Sequence, residues 1–266
     1  MLGYFGQMPK LVSWNVNGIR ACFKNGFVEW IKKNPFDVIG LQEVRADKDQ
    51  IPSEILNLEG YFSYWYPSQS KKGYSGVGIL TRKEATQVFY GMGREEFDVE
   101  GRVIATEFDE TVFLSVYFPN SQDKGARIRY KISFCDALVE FAEKLGKGGK
   151  SIVICGDFNI AHQPIDLARP DDNNESPGYL PEEREWMSQF LKQGWIDTFR
   201  HCHPTQKEAY SWWSARTRAR ERNIGWRIDY HAVDKASRER IKGAGIQDQV
   251  LGSDHCPVTV ELSGKL

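Results

Sequence analysis

The chain has 266 residues, 41% of them hydrophobic, with 35 Lys and Arg against 36 Asp and Glu for a net charge of −1. That length supports one large core, and the charge balance gives no chain-wide basic field, so an anionic partner has to be held by a local patch. Five scattered cysteines with no Cys-x-x-Cys pair argue against a disulfide framework or a zinc cluster and for a reducing, cytoplasmic setting.

In chain order, Met1–Lys10 lacks the pattern of a signal peptide, and no apolar stretch approaches the ~20 residues of a membrane span. Residues 1–9 are read as an N-terminal extension and 10–263 as a single domain. Short apolar runs rich in β-branched and aromatic residues predict strands over Leu11–Val16, Asp37–Leu41, Tyr61–Tyr66, Gly76–Thr81, Arg102–Phe108, Thr111–Phe118, Ser151–Cys155, Ile228–Val233 and Pro257–Leu262. Helical spacing is clearest from Ile128 to Leu145, a seam closed by Gly146; Phe27–Lys33 and Glu182–Lys192 are weaker helices. Arg169–Pro181 reads as one long loop. Strands outnumber helices without alternating with them, which predicts an α/β sandwich of two packed mixed sheets with helices outside.

Five of the runs end in acidic, amide or imidazole groups. They are Asn15 with Asn17, Glu43, Asp157 with Asn159, Asp229, and Asp254 with His255. Charges at strand rims are costly to bury unless paired or bound to a cation. Taken singly, Glu43 fits a salt bridge to Arg45, the Asn and Asp pairs fit turns, and a lone His fits a structural role. Together they read as one oxygen-rich site of the kind hard Mg²⁺ prefers. Asp157 and Asn159, two apart, share a face of an extended chain, and a His beside a carboxylate is a common acid/base arrangement. His162 is a further candidate to line the site; His201, His203 and His231 read as structural.

Between Ser211 and Tyr230, five arginines (Arg216, Arg218, Arg220, Arg222 and Arg227) outnumber Glu221 and Asp229 and are interleaved with Trp212, Trp213 and Trp226. Such a segment is either a groove for nucleic acid or a solvated basic loop over core tryptophans. Arg127, Arg129 and Lys131 open a predicted helix, where the macrodipole disfavours cations; an external anion, or solvent, would relieve them. No Gly-x-Ser-x-Gly elbow, Walker A loop or Gly-x-Gly-x-x-Gly fingerprint occurs, so seryl catalysis and nucleotide cofactors are not indicated.

The blocks Ser13-Trp14-Asn15-Val16-Asn17-Gly18-Ile19-Arg20, Leu41-Gln42-Glu43, Gly73-Tyr74-Ser75-Gly76-Val77-Gly78, Gly101-Arg102-Val103, Tyr117-Phe118-Pro119-Asn120, Gly156-Asp157-Phe158-Asn159-Ile160-Ala161-His162, Gly225-Trp226-Arg227-Ile228-Asp229-Tyr230 and Ser253-Asp254-His255-Cys256-Pro257 together resemble the signatures of exonuclease III-type apurinic/apyrimidinic (AP) endonucleases. They run in the family's order from about Lys10 to Leu262.

The resemblance implies a four-layer DNase I-like sandwich and incision of duplex DNA 5′ to an abasic site, dependent on Mg²⁺ with Mn²⁺ as a substitute. Work on blocked 3′ ends, including 3′-phosphates, and 3′→5′ exonuclease activity are implied companions, and a monomer without membrane attachment is expected. By motif, Asn15 and Glu43 would hold the metal, with Asp157, Asn159 and Asp254 near it. Asp157 would activate water, Asn159 and Asn120 would hold phosphate, Tyr117 would support the leaving oxygen, and His255, oriented by Asp229, would bind the scissile phosphate. Arg45, Tyr74, Arg102, Arg127 and Arg216 would meet DNA, while Trp212, Trp226 and Ile228 would enclose the flipped abasic sugar. An abasic nucleotide has no base to unstack, so extruding it is cheap. Two positions depart from animal members, Asn17 standing for an Asp and Asp123 for a DNA-inserting Arg. Other phosphoesterases of the superfamily and a non-catalytic nucleic-acid-binding module are the rival readings; the Trp212/Trp226 segment speaks against the first and the full polar set against the second.

Overall fold

The computed structural model describes residues 8–266, so most of the expected N-terminal extension lies outside the described residues. The first half of the chain contributes strands β1 (Lys10–Asn15), β2 (Val38–Gln42), β3 (Phe62–Tyr66), β4 (Val77–Thr81), β5 (Gln87–Tyr90), β6 (Val103–Glu107) and β7 (Thr111–Tyr117). The second half contributes β8 (Ser151–Asp157), β9 (Ile196–Asp197), β10 (Trp212–Trp213), β11 (Gly225–Trp226), β12 (Asp229–Val233), β13 (Ile241–Ile246) and β14 (Val258–Leu262). The helices are α1 (Ile19–Lys24), α2 (Phe27–Lys33), α3 (Ser53–Leu56), α4 (Glu95–Asp98), α5 (Ile128–Gly146), α6 (Pro181–Lys192) and α7 (Thr198–Cys202).

Two mixed six-stranded sheets, ordered β13-β14-β1-β2-β4-β3 and β5-β6-β7-β8-β12-β9, face each other. Their inner faces share one core, where Leu11, Val38, Ile79 and Val260 of the first meet Ile104, Phe113, Val153 and Val233 of the second. The outer face of the first sheet buries Val12, Trp14 and Ile39 under α1 and α2. That of the second buries Leu114, Ile152 and Ile154 under α5 and α6. The result is the expected four layers. Central strands are apolar on both faces because both faces are covered, which is why they read as continuous runs rather than alternating ones.

Polar bonds also join the two sheets across the apolar seam. Gln42 Nε2 donates to Ser115 Oγ (3.0 Å), which donates to the Leu41 carbonyl (3.1 Å), pinning the β2 end to β7. Expected strands and the α5 helix agree with the structure; β5 and β13, both on sheet edges, were not anticipated. Among the described residues no helix is long and apolar enough to cross a membrane.

Candidate active site

Topology alone brings the five polar strand ends together. β1 and β2 are parallel, with Asn15 level with Gln42, so Asn15 and Glu43 leave the sheet at the same edge. In the other sheet β8 ends where the antiparallel β12 begins, placing Asp157 opposite Asp229. β14 runs antiparallel to β1 with Val258 opposite Ser13, so the preceding Asp254-His255 lies just beyond the β1 terminus.

The chain turns sharply here. Asn17, Glu43 and Asn159 have φ of 44°, 49° and 52°, a region that non-glycine residues seldom occupy and that tends to mark functional turns. Asx turns fix two of these ends: Asn17 N donates to Asn15 Oδ1 (3.0 Å) and Asn159 N to Asp157 Oδ1 (2.8 Å). The turn readings of the Asn15 and Asp157 segments therefore hold together with their convergence on one site. Gly156, at φ 147°, is required before Asp157, because a Cβ would lie 1.8 Å from the Val116 carbonyl oxygen.

Asn15 Nδ2 bridges two carboxylates, donating to Glu43 Oε1 (2.8 Å) and Asp157 Oδ2 (2.9 Å). Arg45 also pairs with Glu43. Asp157 Oδ2 lies 3.9 Å from His255 Nε2, and the opposite ring nitrogen, Nδ1, is 2.8 Å from Asp229 Oδ2. Asn159 Nδ2 donates to the Phe118 carbonyl (3.0 Å), while Asn120 Nδ2 donates to Asn159 Oδ1 (3.0 Å). Asp254 stands to one side, accepting from Asn17 Nδ2 (2.7 Å) and Trp212 Nε1 (3.2 Å).

Burial raises the Asp157 carboxyl to about 7, helped by the charges of Asp229 and Glu43 and opposed by His255. Burial works against charge on His255, but Asp229, with Asp157 and Asp254 behind it, raises the imidazole to about 10. Burial and the Glu43 charge push the Tyr117 phenol well above its usual value. A carboxyl poised near neutrality beside an imidazole held protonated is an acid/base pair matched to work near pH 7.

The donor set fits a hard divalent cation. One ligand atom each from Glu43, Asp157 and His255 lies within 4.8 Å of the others. Among the described residues the carboxyl groups of Glu43, Asp157, Asp229 and Asp254 are paired with no cations but Arg45 and His255, an excess of two negative charges once Asp157 is ionised. A buried excess of that size is what a divalent ion would offset. Asp254 lies outside the three-residue group.

These groups form the floor of a cavity of about 690 Å³ that is also lined by Tyr117, Asn120, Trp212, Trp226 and Ile228. Trp212 and Trp226 face each other across the β10–β11 ladder with rings 6.2 Å apart at 84°, and Trp212 bridges to His255. The Arg169–Pro181 loop adds Arg169, Asp172, Pro177 and Gly178 to the lining.

Other expected residues fall elsewhere. Arg102 is only 2% exposed. It donates to Glu100 (2.5 Å), Tyr74 Oη (2.7 Å) and the Tyr117 carbonyl (3.1 Å). Its guanidinium therefore props Tyr117 and Tyr74 from beneath, and the expected direct phosphate contact is corrected to a supporting one. Arg127 is paired with the same Glu100 (2.7 Å), and Lys131 is fully buried against Glu183, so internal carboxylates rather than an outside anion or solvent answer those two cations. Arg129 is exposed.

The basic Trp-rich segment likewise divides. Arg227 is buried between Asp166 and Asp197, and Arg220 caps the carbonyls of Asp248, Val250 and Ser253 over the Trp213 ring. Arg216 remains exposed beside the cavity rim residues Ser214 and Thr217. His162 bonds Ser188 instead of lining the cavity. Two serines escaped the sequence reading: Ser211 Oγ donates to Asp229 Oδ2 (2.6 Å), and Ser253 Oγ to the Asn15 carbonyl (2.8 Å). Ser253 adjoins the Asp254-His255 pair, the one signal that could have found it; nothing in the sequence marks Ser211.

The Endonuclease/Exonuclease/phosphatase family pattern matches residues 12–255. An exodeoxyribonuclease of Bacillus subtilis (strain 168) is 45% identical over 250 residues, covering 94% of this chain and 97% of that protein. The crystal structure of the AP endonuclease LMAP from Leishmania major superposes with a TM-score of 0.88 at 26% identity, covering 97% of this chain and 89% of that one. The 3′ phosphatase NExo from Neisseria, solved bound to a product DNA hairpin, gives 0.84 at 28% identity over 96% of this chain and all of that one.

Proposed function

The chain belongs to the Endonuclease/Exonuclease/phosphatase family, and on that premise we propose a DNA repair hydrolase that incises duplex DNA 5′ to abasic sites and processes blocked 3′ ends, including 3′-phosphates. The observation that carries this reading is the placing of Asp157 between the Asn15–Glu43 cluster and His255 on the floor of a cavity walled by Trp212 and Trp226. A phosphodiesterase needs the first arrangement; a hydrolase selecting a flipped, base-less sugar needs the second.

In this reading Asp157 takes a proton from water, whose oxygen attacks phosphorus as the bond to the 3′ oxygen breaks; the departing oxygen is protonated from solvent and Asp157 returns its proton there, leaving a 3′-hydroxyl and a 5′-phosphate. Protonated His255, oriented by Asp229, donates to a non-bridging phosphate oxygen where negative charge develops. The linked amides of Asn120 and Asn159 hold the phosphate, and Tyr117 faces the leaving oxygen. Glu43, Asn15 and Asp157 would hold Mg²⁺, or Mn²⁺ in its place, which when bound supplies charge neutralisation at the phosphate. Trp212, Trp226 and Ile228 enclose the sugar, and the enzyme acts as a monomer.

The test is a gel assay on duplexes carrying one abasic site, one uridine or only normal nucleotides, and on a 3′-phosphorylated nick, each with Mg²⁺, Mn²⁺ or excess chelator. Incision 5′ to the abasic site that requires the divalent ion supports the reading. Cleavage of none of the DNA substrates, or equal cleavage in chelator, would overturn it.

A further inference from the structure

The Lys131–Glu183 pair is fully buried, 0% exposed on both sides, and no step above uses it. A buried ion pair is weak evidence for stability, since its desolvation offsets much of its attraction. Its bonding partners are therefore the informative part. Glu183 Oε2 accepts from Gly178 N (2.7 Å) and Leu180 N (2.9 Å), at the head of α6. Glu183 Oε1 accepts from Ser121 Oγ (2.5 Å) and Lys131 Nζ (2.7 Å). Lys131 Nζ reaches on to the Asn159 carbonyl (2.6 Å).

Two of these partners, Asn159 and Gly178, line the cavity, and Ser121 is next to a third lining residue. Ser121 follows Asn120, whose amide is bonded to Asn159. Gly178 lines the cavity, accepts at its carbonyl from Ala161 N (2.7 Å), and lies so close to Trp226 that a Cβ there would stand 3.3 Å from the indole. One carboxylate and one ammonium thus tie three separate segments, around Asn120, Asn159 and Gly178, into a fixed spacing.

We propose that Glu183, through Lys131, is a positioning residue that sets the distance between the phosphate-holding amides Asn120 and Asn159 and the Gly178–Trp226 wall of the sugar pocket. The inference rests on the reading of the site as a DNA phosphodiesterase. Catalytic registration is sensitive to such spacing, since a displacement near 1 Å can cost about 10²-fold in rate.

The experiment measures kcat, KM and melting temperature for Glu183→Gln, for Lys131→Met/Glu183→Gln, and for Ser121→Ala. Glu183→Gln leaves a buried ammonium without its counter-charge, so its melting temperature falls, and the double variant restores much of it. On the proposal turnover is not restored with it: kcat stays about 10- to 100-fold below wild type in both, with KM within about 3-fold, because the first variant breaks the ion pair that joins the Gly178 and Asn159 segments and the second also removes the Lys131 bond to the Asn159 carbonyl. Ser121→Ala keeps the ion pair, folds, and lowers kcat by about 3- to 10-fold. If kcat recovers along with the melting temperature in the double variant, or if Ser121→Ala matches wild type, the pair is structural only and the proposal falls. Should Glu183→Gln not fold, the other two variants decide. Wild-type turnover of the abasic and 3′-phosphorylated duplexes tests the functional reading itself, whereas variant-to-wild-type ratios, on whichever duplex is turned over, test the positioning.

Discussion

Trp226→Ala should damage incision at an internal abasic site far more than removal of a terminal 3′-phosphate. Trp226 lies at the centre of an aromatic wall, 6.2 Å from the Trp212 ring and 6.3 Å from Tyr179, both nearly perpendicular to it. An internal abasic sugar has to be rotated out of the duplex and held against that wall, while a 3′ end reaches the Glu43–Asp157–His255 cluster without enclosure. Aromatic contacts of this kind are worth about 1–3 kcal/mol, or roughly 5- to 150-fold in kcat/KM. Trp212 is a poorer probe, because its indole also donates to Asp254 and its removal disturbs two features together. The assay compares the variant-to-wild-type ratio of kcat/KM on the two substrates, after thermal melting shows the variant folded. A loss confined to the abasic substrate, with weaker discrimination against intact nucleotides, supports the pocket. Equal losses on both would show that Trp226 serves general DNA binding or packing.

Glu43→Gln should nearly abolish turnover and raise the Mg²⁺ concentration needed for half-maximal rate while DNA binding survives, because Glu43 is an anionic member of the candidate ligand group; near-normal turnover at ordinary Mg²⁺ in rate titrations would refute the assignment. Asp157→Asn and His255→Ala should each lower kcat by about 10²- to 10⁴-fold with little change in DNA affinity, and an effect on KM alone would remove the role with water. His231, buried and lowered to about 3 by that burial, stays neutral in the folded protein, so below about pH 6.5 the unfolded chain binds a proton that the folded chain refuses and stability falls as pH falls. At pH 5 this amounts to about 2 kcal/mol, which His231→Leu should abolish in denaturant titrations at pH 5 and 7; equal pH slopes for both proteins would refute it.

What the sequence exposed, and what it concealed, follows from how far apart the interacting groups lie. Strands covered on both faces, such as β1, β2, β7 and β8, are unbroken apolar runs and announce themselves locally. Some edge strands do not, although the aromatic-rich β3 does: β5 is Gln-Val-Phe-Tyr with exposed ends, and β13 carries Gly243 and Gly245 in a half-exposed stretch. The strand-end residues of the site were legible because each lies at or next to one end of a readable strand, and the Asx turns at Asn15 and Asp157 were legible from spacing alone. Those two ends are alike in geometry. Each turn closes a central strand of its own six-stranded sheet and carries a left-handed Asn at its second position.

The arginines mark the limit of that legibility. In sequence Arg216, Arg220 and Arg227 are interchangeable members of one basic cluster, and Arg102 and Arg127 look equally free to meet phosphate. What separates them is where the carboxylates come to rest. Asp166 and Asp197 claim Arg227 from 61 and 30 residues away, and Glu183 claims Lys131 from 52 away. Glu100 claims both Arg102 and Arg127, only the first of them a near neighbour in the chain. A cation whose charge is already met inside the protein cannot also release counterions from DNA, so the count of basic residues near a site overstates its pull on phosphate. For this protein the electrostatic contribution to DNA binding should therefore come from exposed groups such as Arg216 and Arg129. The salt dependence of binding should fall on Arg216→Ala, and should be moved by Arg227→Ala only through loss of folded protein.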